Sequence, residues 1–518
     1  MPIKSGKQYT DRIDRAKADI WLHGRRVSEP VSVHPAFRGL VSTQASLYDM
    51  QGEEEYKSAM TYASPVTGDP VGLSFLRPVT KPDLERRRKM MSLWAGRHHG
   101  FLGRAPDYMN TAVMAFGAAA GLLTEHNPQY ADNMRNYYEY CRENDITLSH
   151  AFIVPHSGRL STFLKTLEQP EAARVIEKNK DGIVVSGAFL LATQGATAEE
   201  ILIFPAPLPS LADENPHAFA FAVPNHLPGI RFICRESFAA GDSPFDYPLS
   251  SRFEEMDMLV VFDRVLVPHD RVFLYGDESL ASSFIEQSRF HTHATHQVLC
   301  RNIAKTEFVL GTVESMIQML GLRTYTQVVE KAAEIIAALE TLKALLAASE
   351  LQAKPDRWGT MVPAPEPLYT ANFLYPKLYP RMIEIIQLIG ASGLVMIPGE
   401  QDFLSPAEGD LSRYLKGIDA DARQRVGLFR LAWELGASSF AGRQTLYERF
   451  FFGDSVKVAN RLYNNYEDKD MCRDKVSRFV AKGIAPTSGH TGEAGDDAAK
   501  QLHSQQIKKR RKRASEQS

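Results

Sequence analysis

The chain has 518 residues, 44% hydrophobic and 24% charged, and a formal net charge of −2; this is an ordinary globular balance at a length that favours two or three domains. Taking the six positive charges of KKRRKR (508–513) away from the total of −2 leaves −8 for the rest. An acidic body of that kind argues against a general nucleic-acid binder.

The N-terminal MPIKSGKQYTDRIDRAKADI is polar and lacks a signal-peptide core, and no later apolar run is long enough to span a bilayer. From Tyr9 to Ser149 the apolar spacing is mostly helical, as in DLERRRKMMSLWAG and NMRNYYEYCRENDI. GAAAG (117–121) reads as two helices meeting through small side chains. From His150 to Tyr275 short β-rich runs take over: AFIV, GIVVSGAFLLA, ILIF, AFAFAV, IRFIC, MLVVF and VFLY. With no long helix between them, they predict an antiparallel barrel or sandwich. From Asp277 to Lys482 long amphipathic patterns return, and DADARQRVGLFRLAWELGASSFAGRQTLYERFF reads as one continuous helical stretch. The expected organisation is an N-terminal helical domain (1–149), a middle β domain (150–276), a C-terminal helical bundle (277–482) and a disordered basic tail (483–518). The four cysteines, Cys141, Cys234, Cys300 and Cys472, form no CxxC pair and read as reduced thiols of a cytoplasmic protein.

Nucleotide-binding fingerprints are missing: there is no P-loop and no GxGxxG between a strand and a helix. HTHATH (291–296) puts His293 and His296 on one helical face, but no carboxylate or thiolate pair completes a metal site, so these read as core histidines and no metal is expected. GRAPDYMN (103–110) alone reads as a type I turn at Pro106. It stands, however, with HPAFR (34–38), SLYDM (46–50), LSHAFIVP around His150, VVSGAFLLATQGATA (184–198), SPFDYPLSSRFEEMDMLVVFDRVLVP (243–268) and AGRQTLYERFFFGDS (441–455).

In this order the set resembles the oxygenase component of the two-component 4-hydroxyphenylacetate 3-monooxygenase family, from about Tyr9 to Lys482. The resemblance implies an acyl-CoA dehydrogenase-like, mainly α, α+β fold with a middle β-barrel and a C-terminal four-helix bundle. It also implies FADH2 delivered by a separate reductase, a flavin C4a-hydroperoxide formed with O2, and hydroxylation of a phenol ortho to its hydroxyl. A homotetramer is expected as well. The matching catalytic and substrate positions are Arg104, Tyr108 and His150: a cation for the phenolate, a hydroxyl donor and a proton acceptor. Implied cofactor contacts are Ala151, Phe152, His156, Arg159, Thr193, Gly453, Asp454 and Ser455. Where the family can offer hydroxyls to a substrate carboxylate, this chain has Pro205 and Ala206, which leaves the choice of phenol open. Related scaffolds suggest two rivals, a 4-hydroxybutyryl-CoA dehydratase-like and an acyl-CoA dehydrogenase-like flavoprotein. The first needs cysteines near HHGFLGRAP, which has none. A scaffold without turnover is the non-enzymatic rival.

Overall fold

In the computed structural model, residues 2–155, 172–205, 208 and 214–484 are described. The Thr80 hydroxyl accepts a hydrogen bond from Asp83 N and the Asp83 carboxylate accepts one from Thr80 N, a capping box that starts the helix Lys81–Arg97. Its buried face (Leu84, Met90, Met91, Trp94) packs on the long helix Phe290–Leu320. The next helix, Pro106–Ala118, begins at the proline expected to make a turn. Pro106 occupies the first helical position, where its missing N–H costs nothing. GAAAG closes this helix, and its small residues let two helices meet closely, as the sequence suggested. A Cβ on Gly117 would run into the Tyr138 ring of the helix Pro128–Asn144, and one on Gly121 into Trp358.

The β region is two sheets. Six strands lie in the order Arg25–Arg26, Ile20–Leu22, Ile230–Cys234, Asp257–Pro268, Gly182–Thr193 and Arg174–Lys178. Four lie in the order Val272–Gly276, Asn215–Pro224, Glu200–Ile203 and Leu148–Ala151. Between these strands pairing is antiparallel except in two pairs, where Ile20 is in register with Phe232 and His150 with Leu202. Thus residues from the first helical stretch add two strands, Ile20–Leu22 and Arg25–Arg26, to the larger sheet, which the helical spacing did not reveal. One apolar core includes Val185, Val260 and Phe262 of the larger sheet with Ile201, Phe221 and Val223 of the smaller. AFIV is largely outside the sheet: the strand ends at Ala151, and Ile153 O accepts a single bond from Leu190 N at 2.7 Å.

Four helices, Phe290–Leu320, Thr326–Leu351, Pro365–Gly390 and Ala422–Gly436, pack as a bundle over a core of Leu299, Ile335, Leu342, Ile385 and Phe429. The stretch expected to be continuous breaks after Gly436. Ser438 caps a new helix, Ser439–Phe450, by accepting from Ala441 N at 3.1 Å. A single serine supplies the cap, while the apolar spacing runs on across the break. Residues beyond Tyr463 form a separate unit, of which the helix Lys469–Ile484 is described. No described helix is long and apolar enough to cross a membrane.

Candidate active site

Arg104 sits two residues before Pro106, so the chain enters the helix with this side chain at its mouth. The carboxylate of Glu255 accepts from Gly103 N at 3.0 Å and from Arg104 N at 2.7 Å. The Arg104 guanidinium donates to Tyr447 OH at 2.6 Å and lies over the rings of Phe451 (4.5 Å) and Tyr108 (4.7 Å). Such stacking suits a planar, weakly hydrated cation. Its Nε is buried without a partner, and among the described residues no carboxylate lies within ion-pair distance of it. The pairing with Asp107 that the sequence allows is not made. Asp107 is buried, and burial pushes its carboxyl up to about 6 against a Gln297 hydrogen bond and the charge of Arg87.

His150 lies in the strand Leu148–Ala151. Its ring is 4.7 Å from Phe204, 5.7 Å from Phe152 and 5.8 Å from Tyr108, and its Nδ1 is buried without a partner. Burial holds its pKa well below the usual imidazole value, and the Arg104 charge lowers it further. At neutral pH it is an uncharged base. Burial raises the Tyr108 phenol, with Arg104 opposing, so that hydroxyl keeps its proton.

Arg104 and His150 line one cavity of about 960 Å³. Its walls are mostly apolar: Phe152, Ile153, Leu190, Leu191, Met258, Leu259 and Phe450. Thr193 lines it too, donating its hydroxyl proton to Asp257 Oδ1 at 2.7 Å. Burial works to raise Asp257, but Arg443 and Arg235 outweigh it and hold the carboxyl well below the usual range. Arg443 pairs with both Asp257 oxygens (2.9 and 3.0 Å) and with Glu255 (2.9 Å); Arg235 pairs with Asp257 (3.0 Å) and Glu254 (2.7 Å). The cavity therefore has three arginines, of which two are neutralised by carboxylates.

The structure thus gathers Arg104, Tyr108, His150, Phe152 and Thr193, with Ala151 buried beside them and Pro205 following the Phe204 that packs on His150. Gly453, Asp454 and Ser455 are not in the cavity wall. They lie past the helix Ser439–Phe450, where Gly453 turns at φ +108° and Asp454 accepts from Lys457 N at 2.9 Å. His156, Arg159 and Ala206 lie outside the described residues. In the HTHATH segment, His296 Nε2 meets Glu350 Oε1 at 2.8 Å while burial pushes His293 down to about 3. Sequence reading gave no role to Glu255, Asp257, Arg443 or Tyr447. They stand in SRFEEMDML and AGRQTLYERFF, segments noted only for their likeness to a family.

Helices, two sheets and a four-helix bundle in this order make an acyl-CoA dehydrogenase-like architecture. It is shared with an oxygen-tolerant archaeal 4-hydroxybutyryl-CoA dehydratase from N. maritimus, at a TM-score of 0.81 and 20% identity over 95% of this chain and 98% of that one. Models of the 4-hydroxyphenylacetate 3-hydroxylase N-terminal and C-terminal parts match residues 5–274 and 281–481. The chain belongs to that family. It is 46% identical over 482 residues to the 4-hydroxyphenylacetate 3-monooxygenase oxygenase component of Geobacillus sp., covering 93% of this chain and 97% of the relative. A crystal structure of such an oxygenase component, complexed with FAD and 4-hydroxyphenylacetate, superposes with a TM-score of 0.87 at 42% identity, covering 93% of this chain and 99% of that one.

Proposed function

We propose that the chain is the oxygenase component of a two-component, FADH2-dependent aromatic monooxygenase that hydroxylates a phenol ortho to its hydroxyl. The observation that carries this reading is Arg104, a buried cation without a carboxylate partner, beside an uncharged His150 in a large apolar cavity. When bound, reduced FAD supplies the activated oxygen that the protein itself cannot make. The cavity suits a cofactor with a small aromatic ligand: its volume is at the upper end for ligand sites, its walls are apolar, and a few polar groups converge on it. The Thr193 hydroxyl, its proton committed to Asp257, offers lone pairs to a donor on the cofactor.

Within this reading the residues divide the work. Arg104 favours the phenolate over the phenol, raising electron density on the ring carbon that must be hydroxylated. The His150 imidazole, which lines the cavity, takes the phenolic proton, a task open to it because the ring is neutral. Tyr108 keeps its proton and donates its hydroxyl. The apolar walls exclude water. Ala151, Phe152, Thr193, His156 and Arg159 are the proposed cofactor contacts. The domain division at 149, 276 and 482, a homotetrameric assembly, a cytoplasmic location and a separate NAD(P)H-flavin reductase belong to the same proposal. The name "oxygenase component" of the relatives supports the reductase.

The test mixes the protein with chemically reduced FAD, O2 and 4-hydroxyphenylacetate, then a panel of simple, halogenated and nitrated phenols. The expected product is the corresponding catechol, identified by chromatography and mass. Flavin oxidation that yields hydrogen peroxide and no catechol from any phenol overturns the reading.

A further inference from the structure

Glu255 does not line the cavity, yet it is fully buried (0% exposed) against the residue on which the chemistry depends. It sits between the short helix Ser250–Phe253 and the strand Asp257–Pro268. Its Oε1 accepts from Arg104 N at 2.7 Å and from Gln194 Nε2 at 2.8 Å. Its Oε2 accepts from Gly103 N at 3.0 Å and from Arg443 Nη1 at 2.9 Å. Four donors fill the acceptor capacity of one carboxylate, and they come from partners 151, 61, 152 and 188 residues away in the chain.

The form of this contact matters more than its strength. A carboxylate this close to an arginine ordinarily pairs with the guanidinium and cancels its charge. Here it grips the peptide N–H groups of 103 and 104, while its own charge is met by Arg443. The Arg104 guanidinium is left with a hydroxyl, the Gly103 carbonyl and aromatic faces, none of them an anion, and keeps its full charge. Its Nε is unpartnered, and its Nη1 donates to Tyr447 OH at 2.6 Å and to the Gly103 carbonyl at 3.3 Å, so its direction is set largely by the 103–104 backbone.

We infer that Glu255 is the positioning residue of Arg104, a carboxylate clamp that fixes where the cation stands without neutralising it. The inference rests on the reading of the cavity as a phenol site. The isosteric Glu255→Gln replaces one oxygen by an NH2 that must face N–H donors at either end. It deprives one of the two amides of its acceptor and so loosens the 103–104 peptide, while removing no group that touches a ligand.

The probe is 4-nitrophenol, whose ionisation is read from its phenolate absorbance, with saturating oxidised FAD and difference spectra against protein and FAD alone. In the wild type the bound probe should ionise about 1 to 3 pH units below the free probe, the effect of an opposite charge within contact distance. Arg104→Met should abolish that shift, and Glu255→Gln should remove at least half of it. Glu255→Asp keeps the charge that Arg443 needs but is one methylene too short to hold both amides, and should behave likewise. If the wild type and Arg104→Met titrate alike, the phenol reading fails. If Arg104→Met loses the shift while both Glu255 variants keep it whole, the clamp is overturned and the phenol reading stands. In wild-type protein, deuterium exchange at the 103–104 amides should be among the slowest in the chain. Exchange as fast as an exposed loop overturns the clamp without any variant.

Discussion

The strongest test of the site is Arg104→Met, which keeps length and apolar contact and removes the charge. Arg104 is only 9% exposed, so solvent screens it little. It lies 4.7 and 4.5 Å from the rings of Tyr108 and Phe451, which bounds how near a ligand oxygen comes. Opposite unit charges about 4 Å apart interact by about 4 kcal/mol at an effective dielectric of about 20. If most of that interaction exists only once the phenol has lost its proton, it acts on the barrier. At about 1.4 kcal/mol per tenfold, it amounts to roughly a thousandfold, the upper end of the 10² to 10³ or so lost with one oxyanion donor. Arg104→Met should therefore cut catechol formation by about 10²- to 10³-fold, mainly in kcat. Arg104→Lys, which keeps the charge but not the planar fork or the stacking, should lose less. The assay is a single turnover of chemically reduced FAD in oxygenated buffer, with catechol and hydrogen peroxide both quantified. Peroxide should rise as catechol falls. A folded Arg104→Met protein that makes catechol within about threefold of the wild type refutes the role of the charge.

Three further outcomes follow from the same geometry. In Gly103→Ala the added Cβ falls on the Tyr447 ring, so stability should drop by about 1 to 3 kcal/mol with a loss of turnover; an unchanged Tm and rate would contradict the packing. His98 is buried, its Nδ1 accepts from Leu102 N at 3.2 Å, and burial, then Arg301 and Lys305, push its pKa down to about 3 from the usual 6.5 or so. The native state then binds fewer protons than the unfolded one. Its contribution is complete above about pH 6.5 and is lost as pH falls toward 3, at about 1.4 kcal/mol per unit. His98→Gln should flatten the acid side of a urea-midpoint profile by that slope, and parallel profiles would count against it. For His150, whose pKa is also lowered, kcat/KM should show no inflection near pH 6.5. An acid limb there that disappears in His150→Asn would mean the imidazole is charged in the free protein.

Much of the site was legible because its residues carry their chemistry locally. Arg104, Tyr108 and His150 stand in short segments whose joint order resembles one family, and the β-rich runs mark most of the strands. Errors came where local spacing is silent. Pro106 is compatible with a turn or with a helix start, and the packing of Tyr108, Met109, Val113 and Phe116 decides for the helix. The apolar period continues from Ala422 to Phe450, so only Ser438 marked the break that turns Arg443 and Tyr447 toward the cavity. The pairing of charges was the least readable of all. Arg104, Arg235 and Arg443 are the same residue type in the sequence, and each stands with acidic neighbours not far along the chain. Arg443 meets Asp257 and Glu255 only because strand and helix bring together positions 186 and 188 residues apart. Glu255 in turn spends its oxygens on the 103–104 amides instead of on the Arg104 guanidinium. Which arginine in this cavity is left with its charge is therefore a property of the folded carboxylates around it, and that is why the proposed role of receiving an anionic ring oxygen is assigned to residue 104 and to neither of the other two.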